Sequence, residues 1–381
     1  MAQSTAAPED VNWSATVSYE FGRMMRFQLT ADVIDENADS IERATLFIRA
    51  PEFPQAFSAT QTFALTRQAA VVYDLDLAQV RLAPFTTVTY WWVLETAVAS
   101  ISLPEQSIMY EDDQFEWRRL SQDGVTAHWT GDDASLGQLA LDVVAESMPQ
   151  LRQAIPANEL LSVDLYVYPS SADLRGALRL TGRDWVGAHA HPELGVILVT
   201  AVNARTAAAD LRQSIPHELV HFLLYQAVGP NYDQLPVWFN EGLATLVEPT
   251  SNPSYETLLA TAVAAQTTIP FAELCSSFPT TEREALLAYA QSASLMNYIQ
   301  TRYGDQALNE LIAVFADGAD CESGVNRALD ISLLDLNQDW LRRQQPRDPF
   351  AQFWLDYGLW ALLLVGGFGV AGLLAFVPGK N

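Results

Sequence analysis

The sequence SIPHELVHFLLYQAV, residues 214–228, contains the motif H-E-L-V-H at positions 217–221. In an α-helix, residues four positions apart lie on one face, so the two imidazoles of this motif can point at one metal ion. Glu218, one position after the first histidine, can reach a water molecule on that ion. The apolar flanks predict a buried helix. We expect it to begin near Ser214 or to be kinked there, because Pro216 removes a hydrogen bond inside a helix.

A third ligand is expected downstream, because a catalytic zinc ion normally has three protein ligands and one open position. Glu241 follows His221 with 19 residues between them. Pro236 and the amphipathic pattern after it predict a second helix that presents Glu241 inward. The connecting segment, GPNYDQLP at 229–236, is rich in turn-forming residues and can bring the two helices together. A site of two histidines and one glutamate is therefore geometrically reasonable.

At these residues the chain resembles the gluzincin metallopeptidases, and within them the bacterial peptidase-MA-like proteins. The thermolysin and aminopeptidase-N families are more distant. The family pattern is H-E-x-x-H, a spacer of similar length and then N-E-G, which stands here at 240–242. The resemblance covers roughly residues 124–345. It implies that Zn²⁺ is the cofactor, that His217, His221 and Glu241 are its ligands, and that Glu218 is the general base.

The resemblance also points to two further residues. Glu248 lies seven residues after Glu241, at a recurring acidic position of the family; a surface glutamate at a helix end is the alternative interpretation. Tyr289 corresponds to a family tyrosine that donates a hydrogen bond to the oxyanion of the reaction. The alternative is that Tyr289 is an ordinary packing residue.

Two more histidines are weaker candidates. His189 and His191 precede ELGVILV, the position of the edge strand that binds extended substrate in such enzymes. They could line the rim of the cleft, although two histidines in a polar turn are also typical of an exposed loop.

The N-terminal part, residues 12–118, shows short alternating runs such as TTVTYWWVLETAV at 86–98. Strands of this kind, separated by turn-type segments, predict an antiparallel β-sandwich of immunoglobulin or fibronectin III type. Residues 124–345 then alternate between strand and helix patterns and are mostly helical from Ala207 onward. The predicted fold class is α+β: a β-sandwich followed by a gluzincin-type domain with a mostly helical C-terminal half.

Residues 357–377 read YGLWALLLVGGFGVAGLLAFV and carry no charge. A helix of this length is about 31 Å long, which matches a hydrocarbon core of about 30 Å. The sequence therefore predicts a C-terminal transmembrane helix and a membrane-anchored protein. The polar start of the chain resembles a mature N-terminus, which favours an extracytoplasmic catalytic domain over a cytoplasmic one. Arg342, Arg343 and Arg347, just before the span, favour the opposite orientation.

The composition excludes one class of partner. The 381-residue chain has 46 acidic and 21 basic residues, a net charge of −25, and its one lysine is Lys380. Binding to nucleic acid needs clustered basic residues, so nucleic acid is excluded as a partner. Cys275 and Cys321 are too few for a cysteine-based zinc site; they form one disulfide if the protein is exported, or remain thiols if it is not.

The functional prediction is a membrane-anchored zinc metallopeptidase that hydrolyses a peptide or protein substrate. The chain lacks the G-x-M-E-N segment with which aminopeptidase-N relatives hold a free amine, so exopeptidase activity is unsupported. Two alternatives remain open. One is a non-catalytic surface protein on a metallopeptidase-like scaffold, and the other is a zinc hydrolase of a non-peptide substrate.

Overall fold

The structure is a computed structural model. It describes residues 4–5, 11–33, 41–51, 53–66, 68–80, 82–157, 162–179, 188–202, 205–250 and 252–345, together with Trp354, Tyr357, Gly358, Trp360 and Leu363.

The described strands lie mainly in the first half of the chain. They are β1 (Ser4–Thr5), β2 (Val11–Glu20), β3 (Met24–Val33), β4 (Ile41–Ala50), β5 (Phe53–Thr66), β6 (Gln68–Asp76), β7 (Thr86–Glu95), β8 (Ala99–Ser102), β9 (Gln106–Tyr110), β10 (Arg118–Gln122), β11 (Val125–Trp129), β12 (Val163–Tyr168), β13 (His189–His191) and β14 (Val196–Thr200).

The described helices follow and confirm the α+β class. They are α1 (Ala134–Ala154), α2 (Ser171–Arg179), α3 (Ala207–Val228), α4 (Val237–Leu246), α5 (Pro253–Ala265), α6 (Glu282–Tyr303), α7 (Asp305–Ala316), α8 (Cys321–Leu329) and α9 (Leu333–Gln344).

The N-terminal strands form two sheets. One has the order β1-β8-β7-β4-β5, with β9 also paired to β7, and the other has the order β2-β3-β6. Every described pair is antiparallel except β1 with β8. In β7 buried residues alternate with more exposed ones, and Val88, Tyr90, Trp92 and Leu94 all face the core. The alternation in the sequence therefore does mark the buried face of a strand.

The remaining strands form a five-stranded sheet in the order β10-β11-β12-β14-β13. Its three inner strands are parallel and its two edge strands antiparallel. Helix α1 packs on one face of the sheet. Gly137 of α1 lies so close to Trp129 of β11 that a Cβ atom on this glycine would come within 2.3 Å of the Trp129 ring. Trp129 is in register with Val167, and Val167 with Val199, so these residues share the α1 face. Helix α3 packs against α1.

The two N-terminal sheets, together named the sandwich here, contribute their buried side chains to one cluster. The opposite face of the five-stranded sheet joins this cluster. The Phe85 ring stacks on Tyr166, with centroids 3.7 Å apart, and the Tyr168 hydroxyl donates a hydrogen bond to the Asp112 carboxylate at 3.1 Å. Asp112 is almost fully buried, and this burial raises its pKa to about 6. The sandwich and the five-stranded sheet thus share one hydrophobic core.

The chain divides into two compact units. The first contains residues 1–233 and 243–250, and the second contains residues 234–242 and 251–381. The division passes inside α4, which is one continuous helix. The domain boundaries predicted from the sequence, 12–118 and 124–345, stay predictions.

The second unit is helical. A disulfide joins Cys275 to Cys321. The indole N–H of Trp238 donates to Cys321 Sγ at 3.2 Å. Aromatic rings pack around this indole: Phe271 lies 5.9 Å from Trp238, and Trp340 lies 5.0 Å from Phe271. The first part of α4 therefore packs into the core of this unit.

The fold class predicted from the sequence included a transmembrane helix, and this part of the prediction is wrong. Among the described residues, none of the helices combines the length and the apolar character needed to cross a bilayer. Most of the predicted span, 357–377, lies outside the described residues. The prediction relied on hydropathy and length, and neither property by itself establishes a continuous helix.

Candidate metal site

Helix α3 carries the H-E-L-V-H motif, and it is longer than the sequence predicted. It begins at Ala207, so a start near Ser214 is wrong, while a kink there stays a prediction, with Pro216 in the helix interior. An interior proline costs a helix about 3 kcal/mol. Ile215 and Pro216 are both buried, and this burial of apolar surface offsets part of that cost.

The two histidines of the motif meet a carboxylate. Their rings lie 5.1 Å apart at an interplanar angle of 75°. One ligand atom from each of His217, His221 and Glu241 lies within 4.8 Å of the others. Among the described residues, these three side chains form the group that could hold a metal ion. The residues singled out as a ligand set in the sequence are therefore close together in the fold.

This donor set fits zinc. Two imidazole nitrogens and one carboxylate oxygen are ordinary zinc ligands, with bonds of about 2.0–2.2 Å. The three ligand atoms lie within 4.8 Å of one another, close enough to converge on one ion. Glu218, between the two histidines, is 4% exposed.

Glu248 lies against the first histidine. Its Oε1 atom is 2.8 Å from His217 Nδ1, and both side chains are mostly buried, with 11% and 15% of their surfaces exposed. A donating Nδ1–H directs the lone pair of Nε2 away from Glu248, where it can serve a metal. The buried contact does not match the alternative of a surface glutamate.

Helix α4 positions Glu241 through close backbone packing. A Cβ atom on the next residue, Gly242, would lie 2.8 Å from the Ser292 carbonyl oxygen of α6, closer than real Cβ contacts allow. Glycine is thus required at the third position of N-E-G so that α4 can approach α6. The sequence analysis treated this glycine only as part of a motif.

Tyr289 lies on α6, two turns after the start of the helix. Its ring contacts Phe278 edge-on, with centroids 5.0 Å apart, and the residue is partly buried. The proposed role of Tyr289 at the oxyanion stays a prediction.

His189 and His191 occupy β13 and are buried rather than exposed in a turn. They pair in register with Leu198 and Val196, which belong to the core shared with the sandwich. Ala190 between them pairs with Ile197. Both histidines therefore face away from the α1 side of the sheet.

The sequence analysis missed Gln213 and Thr250. The Gln213 amide nitrogen donates to Glu248 Oε2 and, at 2.9 Å, to the Thr250 carbonyl oxygen. The Thr250 hydroxyl donates back to Gln213 Oε1 at 2.6 Å. Gln213 precedes His217 by four residues, so helical periodicity could have indicated that the two share a face.

Comparison with known protein families gives one match. The family model described as the Peptidase MA superfamily matches residues 144–344, which is 201 of the 381 residues and includes every ligand candidate. Among curated proteins, no match was found.

Two solved structures are similar at low identity. An M1 zinc metallopeptidase from Deinococcus radiodurans is 12% identical over 89% of this chain and 96% of its own, with a TM-score of 0.41. An aminopeptidase N family protein from Idiomarina loihiensis is 11% identical over 89% of this chain and 77% of its own, with a TM-score of 0.38.

Proposed function

The chain belongs to the Peptidase MA superfamily, and on that premise we propose that it is a zinc-dependent metallopeptidase that hydrolyses peptide bonds in peptide or protein substrates. The observation that supports this most directly is the convergence of His217, His221 and Glu241 within 4.8 Å. These three side chains would hold the ion.

Zinc, when bound, supplies Lewis acidity toward the scissile carbonyl and the attacking water. Glu218 is the general base: its carboxylate accepts a proton from the water as it attacks, and then delivers that proton to the leaving amine. The burial of Glu218 supports this assignment, because a base shielded from bulk solvent exchanges its proton with the reactants. Tyr289 donates a hydrogen bond from its hydroxyl group to the oxyanion that develops on the substrate carbonyl.

Glu248 orients His217 in this scheme. Its contact with Nδ1, at 2.8 Å, selects the tautomer in which Nε2 is the ligand atom. Carboxylate–histidine pairs of this kind hold the ring in place and raise its basicity as a ligand.

We also propose that the peptidase works in an oxidising, extracytoplasmic compartment. The disulfide between Cys275 and Cys321 supports this, because such bonds persist outside the reducing cytosol. Alkylation of intact cells, followed by electrophoresis with and without reductant, would show an oxidised pair. Two free thiols in that experiment would contradict the proposal.

The function is tested with a peptide library and purified full-length protein. We expect cleavage of library peptides by the zinc-loaded protein, loss of cleavage with a chelator, and recovery when zinc is returned. Zinc binding without any cleavage would favour the non-peptide hydrolase or the non-catalytic scaffold. Cleavage that persists after complete removal of the metal would overturn the assignment.

A further inference from the structure

Glu248 lies just beyond the end of a helix, where regular backbone hydrogen bonds no longer hold the chain. Helix α4 ends at Leu246, two residues earlier. The Glu248 N–H reaches the Thr245 carbonyl oxygen only at 3.4 Å, which is a weak contact. The backbone alone therefore does not hold this carboxylate beside His217.

The side-chain support comes from α3. The Gln213 amide donates to Glu248 Oε2, while Glu248 Oε1 lies 2.8 Å from His217 Nδ1. The two carboxylate oxygens are thus divided between two residues of one helix, four positions apart. This division sets the rotation of the carboxylate as well as its position.

Thr250 determines the orientation of the Gln213 amide. The Thr250 carbonyl can only accept a hydrogen bond, so the amide nitrogen must face it, at 2.9 Å. The Thr250 hydroxyl then donates to Gln213 Oε1 at 2.6 Å. Both amide hydrogens and the amide oxygen have partners, which leaves one orientation for the group.

The chemistry of glutamine suits this position. An amide is a neutral donor, so it orients Glu248 without forming an ion pair with it. A lysine or arginine in its place would compete with His217 for the negative charge. With glutamine, the charge of Glu248 remains available to polarise the imidazole.

We propose that Gln213 is a positioning residue for the metal site. Its amide, oriented by Thr250, holds the Glu248 carboxylate against His217 and so keeps the Nε2 of that histidine directed at the ion. This inference rests on the proposed zinc site, although not on the identity of the substrate. Gln213 itself touches neither metal nor substrate in this scheme.

The test compares zinc affinities, measured by chelator competition on full-length protein. Gln213→Met keeps the length of the side chain and its compatibility with a helix, but removes the amide. We expect its zinc dissociation constant to rise about tenfold, at the lower end of the effect known for residues that support metal ligands. Thr250→Val, which removes only the hydroxyl donor, should act in the same direction and less strongly.

The matched control is Gln226→Met on the same helix. Among the described residues the Gln226 amide has no hydrogen-bond partner, so this variant should bind zinc as the wild type does. Circular dichroism melting of the metal-free proteins separates loss of folding from loss of positioning. If Gln213→Met does not fold, the milder Thr250→Val decides the question.

A double-mutant cycle distinguishes positioning from general packing. If Gln213 acts through Glu248, then Gln213→Met should add little to the effect of Glu248→Gln on zinc affinity. Fully additive effects, or a wild-type affinity in Gln213→Met, would overturn the inference. Neither result requires peptidase activity. A protein that binds zinc and cleaves nothing would contradict the proposed function alone, and a protein that binds no zinc would contradict both.

Discussion

Two pairs of histidines lie on either side of the five-stranded sheet. His217 and His221 belong to α3, which packs against α1, and their rings are 5.1 Å apart. His189 and His191 belong to the edge strand β13, face the core shared with the sandwich, and have rings 4.4 Å apart. Each pair brings two imidazoles together on one face of its element.

The two pairs differ in what surrounds them. The helical pair meets Glu241 within 4.8 Å, and Glu248 lies 2.8 Å from one of its rings. For the strand pair, Glu193 lies 3.4 Å from His191, and no third ligand completes a group within the part of the chain that the structure describes. Two adjacent imidazoles are therefore not sufficient for a zinc site; a third ligand from another element makes the difference.

The largest expected effect comes from removing one histidine of the helical pair. His217→Ala removes a ligand of the proposed site, so the zinc content should fall from one ion per chain to none and activity should disappear. The matched variant His191→Ala should keep one zinc per chain. Metal analysis of dialysed protein measures both, and loss of zinc in His191→Ala alone would reverse the assignment of the two pairs.

The next effect concerns the residue that follows the first histidine of each pair, which is Glu218 in one pair and Ala190 in the other. Glu218→Gln removes the general base and keeps the shape, so kcat/KM should fall by about 10²–10⁴-fold. Zinc content should not change, because Glu218 is not a proposed ligand. Full activity in this variant would remove Glu218 from the mechanism.

A smaller effect on catalysis is expected from Tyr289→Phe. Loss of one donor to an oxyanion lowers kcat by about 10²–10³-fold, with little change in KM. Tyr298→Phe on the same helix is the control, because that residue packs against Tyr303. Equal rates for the two variants would show that Tyr289 is an ordinary packing residue.

The smallest expected effect tests how the third ligand is held. In Gly242→Ala the added methyl group meets the Ser292 backbone, so the free energy of unfolding should fall by about 1–3 kcal/mol. Zinc affinity should fall with it, because Glu241 is the neighbouring residue. The control is Gly176→Ala in α2, where a Cβ would meet nothing within 4 Å. Thermal unfolding and chelator competition measure these effects, and equal stability of the two variants would contradict the close approach of α4 to α6.

Much of the fold was predictable because it depends on local periodicity. Alternation predicts a strand within 86–98, where β7 lies. The run VTAHW at 125–129 is typical of a strand and coincides with β11. The amphipathic pattern at 135–155 is typical of a helix and is shifted by one residue from α1. Such patterns reflect the direction of successive side chains along one element.

Features that combine separate elements were harder to predict. Helix α3 begins at Ala207 in spite of Pro216, and the burial of Ile215 and Pro216 offsets part of the cost of the missing hydrogen bond. The buried position of His189 and His191 depends on the pairing of β13 with β14. The predicted transmembrane helix, which relied on hydropathy, length and the absence of charge, has no counterpart among the helices of the described residues.

The sequence by itself determined the donor set of the candidate metal site: two imidazoles four residues apart, a carboxylate next to the first of them, and a third candidate ligand in N-E-G. These relations follow from residue type and helical repeat, which are local properties. Only the tertiary structure decided which histidine pair has a third potential ligand within 4.8 Å, how close α4 lies to α6, and that Gln213 and Glu248 share one hydrogen-bonded cluster. Those distances join residues far apart in the chain, and packing between elements sets them.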